Sequence, residues 1–179
     1  MPSSVRTAAF TSATTATHAR PEIIPGTKPV RFRLSDSVTV TASFDRQSSF
    51  KKSWVAQLPQ SDQDDLLAHE QGHYDLNALL SRDFFLAVME LKSKTYTTQH
   101  QLTTDISNLD TAILSKSKPA QERYDKITKA GADKTEQANW LAMIQTAFNT
   151  PVSPPQLTPD NIPIKVPILT ALANGGIVL

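Results

Sequence analysis

Hydrophobic positions along this chain change their spacing twice, separating a β-patterned opening, a helical middle and a Pro-broken end. Val30, Phe32 and Leu34 alternate with polar residues, as do Val38, Val40, Ala42 and Phe44, with Ser35-Asp36-Ser37 between the runs. Alternation on both sides of a short polar stretch predicts a β-hairpin. After Ser61, a candidate N-cap, the spacing becomes helical. Leu66, His69, His73, Leu76, Leu80, Phe84, Ala87 and Leu91 share one stripe, predicting a helix that runs to about Lys94. A connection at residues 95–98 leads to a second helix carrying Leu102, Ile106, Leu109 and Ile113. Pro119 marks a kink or a new first turn. Helical character resumes over 121–129, pauses at Gly131 and continues from about Asp133 to Phe148. Trp54 and Trp140 read as core residues.

Both ends behave differently. Residues 1–20 lack periodicity and are expected to form a flexible arm. Between 150 and 179, Pro151, Pro154, Pro155, Pro159, Pro163 and Pro167 exclude a helix until Ile168 and predict an extended segment. The expected fold is α+β and mainly helical. A short N-terminal β-hairpin packs on a long antiparallel helical hairpin, in a domain spanning 21–149. The tail could dock a partner protein or lie in the domain's own cleft.

Composition narrows the chemistry. A chain of 179 residues suits one domain with tails. A net charge of +1 gives no basic stripe, so nucleic acid is not an expected partner. Cysteine is absent, which removes disulfides and thiolate metal ligands together. No run approaches the roughly 18 apolar residues of a membrane span, and none resembles a signal peptide. The expectation is a cytoplasmic protein or one exported by a non-classical route.

The four histidines are His18, His69, His73 and His100. Two of them frame His69-Glu70-Gln71-Gly72-His73, the pattern H-E-x-x-H. On a helix this spacing stacks two imidazoles one turn apart, where both can hold one Zn²⁺. Glu70 sits about 100° around the helix, free to act as general base. A hydrolytic zinc site needs a third protein ligand. Asp75 faces the other side of the helix. Glu90 lies roughly 25 Å beyond His73 on an unbroken helix. A chain reversing near 96–98 would instead bring 121–127 opposite 69–73. Asp125 is the best-placed carboxylate there, with Glu122 in reserve, and Tyr124 could donate to a developing oxyanion.

At these residues the chain resembles a known family. His69-Glu70-Gln71-Gly72-His73-Tyr74-Asp75, preceded by Ser53-Trp54 and followed by Tyr124-Asp125-Lys126-Ile127-Thr128, is similar to a bacterial domain of unknown function described as a candidate secreted zinc-dependent protease. Gln137 and Trp140 fit its later spacing, and the similarity covers about residues 40–148. The resemblance implies metallopeptidase-like chemistry on a helical hairpin. One position departs from it: where the family has a histidine before the glycine, this chain has Ala130 before Gly131. That histidine would be a third ligand, a supporting group or a transition-state donor.

The expected function is therefore a zinc metallopeptidase with one Zn²⁺ per chain held by His69, His73 and Asp125. Glu70 is its general base, Tyr124 an oxyanion donor, and the 29–45 hairpin an edge strand for a peptide or protein substrate. The rival expectation is a catalytically inactive, peptidase-like interaction module.

Overall fold

The computed structural model describes residues 8–149. Six short strands precede four helices, a mainly helical α+β arrangement. The strands are β1 (Ala9–Phe10), β2 (Ala13–His18), β3 (Pro21–Ile23), β4 (Phe32–Leu34), β5 (Thr39–Phe44) and β6 (Phe50–Lys51). The helices are α1 (Gln60–Glu90), α2 (Gln99–Ile113), α3 (Ser117–Thr128) and α4 (Lys134–Asn149). Among the described residues no helix is long and apolar enough to cross a membrane.

The β region departs from expectation in its pairing. β4 and β5 do not form a hairpin with each other. β4 pairs antiparallel with β3, and β5 pairs with β2 from Ala13↔Phe44 to His18↔Thr39. The arm expected to be flexible is thus ordered from Ala8 onward, with β1 pairing to β6. Its Thr- and Ala-rich sequence carries no hydrophobic alternation, because small residues suffice where β2 and β5 lie on α1. Thr15 and Ser81 join their hydroxyls across that contact. Residues 1–7 of the arm and the whole Pro-rich segment 150–179 lie outside the described residues.

The helix α1 forms the spine. It begins at Gln60 behind Pro59, whose carbonyl accepts from the Asp62 and Gln63 amides, so Ser61 is not the cap. One side of α1 meets α3 and α4 through Leu76, Leu79, Leu80, Ala120, Tyr124, Trp140 and Ile144. Its C-terminal half meets β4 and α2 through Phe84, Val88, Leu91, Leu34 and Leu102. Trp140 is buried as expected, but Trp54 is 39% exposed and its neighbour Val55 takes the core position. A Thr98–Gln101 capping box starts α2. A 3-10 turn at Leu114–Lys116 then separates α2 from α3. Pro119 sits in the first turn of α3, where its missing N–H leaves no helical bond unmade. The returning arm therefore runs antiparallel to α1 and reaches back to the histidines.

Candidate metal centre

Three ligand atoms converge where α1 meets α3. His69 Nε2 lies 3.1 Å from Asp125 Oδ1, and His73 Nε2 lies 3.0 Å from the same oxygen. The two Nε2 atoms are 3.2 Å apart. Among the described residues this is the group of His and carboxylate side chains close enough to share a metal ion. The expected antiparallel register brings Asp125 there. Glu122 is exposed and pairs with Lys118 at 3.8 Å, and Asp75 accepts from Gln71 at 2.8 Å, away from the cluster. His18 and His100 stand apart and exposed.

Two glutamines fix which ring nitrogen faces the cluster. Gln121 Nε2 donates to the His73 carbonyl at 2.9 Å, so its amide oxygen is left to accept from His73 Nδ1. Tyr124 donates its hydroxyl hydrogen to the His69 carbonyl at 3.2 Å and must accept from Gln137 Nε2. That leaves Gln137 Oε1 to accept from His69 Nδ1 at 3.0 Å. With both Nδ1 atoms protonated, neutral imidazoles present two Nε2 lone pairs to a carboxylate. Three acceptors meet with no donor among them. Such a set needs a cation or a proton at its centre.

The donor chemistry fits zinc. Two imidazole nitrogens and one carboxylate oxygen, each ring held through its other nitrogen, is a known ligand set for a catalytic Zn²⁺. In the metal-free protein a proton takes the cation's place. Burial works to lower the His73 pKa, but hydrogen bonds to Asp125 and Gln121 and the nearby Asp125 and Glu70 charges raise it overall. Burial would raise the Asp125 pKa, yet the two histidines hold it well below the usual carboxylate range.

Those directions set a pH window. A depressed Asp125 stabilises the fold above its unfolded value of about 3.9, and that contribution is lost as pH falls further. A raised His73 stabilises below about 6.5, and its contribution is lost as pH rises through the folded value. In chelator-treated protein, the melting-temperature gap between wild type and Asp125→Asn should peak between about pH 4 and 6.5. A gap that stays level across that range and beyond contradicts the assignment.

Tyr124 does not occupy the role expected of it. It is fully buried, stacks on His69 with ring centroids 4.8 Å apart, and commits its hydroxyl to His69 and Gln137. Burial, opposed by the Gln137 bond and reinforced by nearby carboxylates, pushes its pKa up to about 12. Tyr124 supports the His69 ring instead of facing a substrate. Gly72 makes this possible, since a Cβ there would collide with the Tyr124 hydroxyl. Gly131 is required for a similar reason: its φ is +82°, and a Cβ would come within 3.2 Å of the His69 side chain.

The cluster opens into a cavity of about 890 Å³ bordered by His69, Glu70, His73, Asp125, Ala130 and the extended residues 8–13. Glu70 Oε2 is buried and has no hydrogen-bond partner. A second cavity of about 490 Å³ shares Glu70 and is walled by Phe10, Phe44, Phe50 and Leu67. Sequence reasoning missed the orienting role of Gln121 and Gln137, and the 8–13 wall. Gln121 left a signal one turn before Asp125 on the same face of α3, and Gln137 left one in its spacing with Trp140. Compared with known proteins, the chain matches no family model, no curated protein and no solved structure.

Proposed function

We propose that this protein is a zinc-dependent peptidase. The observation that carries the proposal is the pairing of a donor-free His69–His73–Asp125 cluster with an unpartnered Glu70 carboxylate oxygen in one cavity. His69, His73 and Asp125 would hold the ion. When bound, Zn²⁺ supplies Lewis acidity to water and to a scissile carbonyl. Glu70 accepts the proton from the attacking water and returns it to the leaving amine. Gln121, Gln137 and Tyr124 keep the two rings aimed while this happens.

A polypeptide suits the cavity better than a small polar substrate. Strand β1 pairs on one side only, with β6, so among the described residues its other edge has no strand partner. Such an edge can take an extended chain by strand addition. Among the described residues, four of the seven large exposed hydrophobics, Phe10, Phe44, Phe50 and Leu67, gather in the adjoining cavity, which favours apolar substrate side chains beside Glu70.

The rival reading, an inactive interaction module, draws on Ala130, which is exposed at the cavity edge where the resembling family carries a histidine. An unfolded protein such as reduced casein separates the two. The peptidase cleaves it when zinc-loaded, stops after chelation and recovers on zinc return. The module leaves it intact in all three states.

A further inference from the structure

Asn77 continues the row begun by His69 and His73, each four residues apart on α1 and therefore on one face. It is only 6% exposed, yet it borders the same cavity as the metal ligands. Its amide oxygen accepts from Ser117 Oγ at 3.1 Å, while its amide nitrogen has no partner. Exchanging the amide's oxygen and nitrogen does not help, because the displaced atom is then the unpartnered one. The neighbouring interior positions Leu76, Leu79 and Leu80 show that α1 packs with apolar residues here. A buried polar group without a partner destabilises a fold, so its placement beside a cavity needs a reason.

Glu70 Oε2 borders that cavity too and is likewise unpartnered. One orphan is an acceptor and the other a donor, and His73 lies between them along α1. A polypeptide laid in the cavity offers both complements, a water proton at the scissile bond and main-chain carbonyls beyond it. The middle of the histidine pair and Asn77 are about 9 Å apart along the helix axis. An extended chain covers that distance in about three residues.

We propose that Asn77 is a substrate-positioning residue whose amide donates to a main-chain carbonyl about three residues from the scissile bond. The proposal rests on the peptidase reading above. Its test is steady-state kinetics of the zinc-loaded full chain on nested synthetic peptides, cut from a casein site and shortened stepwise from each end. Asn77→Leu keeps the side-chain size and removes the orphan amide. It should raise KM about tenfold on long peptides with kcat nearly unchanged. It should match wild type on peptides too short to reach residue 77. Asn77→Asp keeps the Ser117 bond but presents an acceptor, and should raise the long-peptide KM at least as much. A purely structural role would lower activity on all peptide lengths together, and that result overturns the proposal. So does a Leu variant equal to wild type on every length. Wild type that cleaves no peptide overturns the peptidase reading itself, which a length-independent result leaves standing.

Discussion

Replacing Glu70 with glutamine should leave zinc content at wild-type level while slowing polypeptide hydrolysis by about 10²- to 10⁴-fold. The substitution preserves size and shape, so the packing of α1 is retained. Among the described residues, it removes a buried carboxylate oxygen at the cavity that has no partner and can take a proton. Glu70 does not belong to the converging triad, so metal retention and turnover should separate cleanly. Turnover equal to wild type in the glutamine variant removes Glu70 from the mechanism.

Substituting a ligand should do the opposite and abolish both properties at once. Loss of a residue that merely orients a ligand typically weakens a metal site by about 10- to 100-fold. His73→Ala removes the ligand itself, so zinc affinity should fall by more than about 100-fold and hydrolysis should disappear with it. A protection readout gives the same answer without an assay. Zinc at about 100 times its dissociation constant should add about 2.7 kcal/mol of stability to wild type. The alanine variant should show almost none of that gain at the same concentration. Equal zinc stabilisation of both proteins means that the ion sits elsewhere.

The parts of this site that were legible in the sequence are those encoded by period and distance. A continuous helix carries its register unaided, so H-E-x-x-H fixed His69, Glu70 and His73 on adjoining faces of α1. Asp125 followed from counting around one reversal: the His69–Asp125 and His73–Gln121 contacts are both centred on residue 97. The break at Leu114–Lys116 did not disturb that register. What escaped sequence reading depended on partners far apart in the chain. Strand β2 hides among threonines and alanines and takes its identity from β5, more than twenty residues later. Segment 8–13 has no local signal at all, and only its pairing with 44–52 makes it a cavity wall. Tyr124 is buried on the inner face of α3, but its hydroxyl direction depends on Gln137 in α4. Residues in left-handed conformation at Lys129, Ala130 and Gly131 turn the chain into α4 and deliver that glutamine. No helical wheel contains this information.

The proposed chemistry needs one ion shared by two α1 imidazoles and an α3 carboxylate, and anomalous scattering at the zinc edge from a zinc-soaked crystal tests that sharing most directly. A single peak per chain is expected, about 2.0–2.2 Å from His69 Nε2, His73 Nε2 and an Asp125 oxygen. A map with no peak there, or with the peak on other side chains, contradicts it.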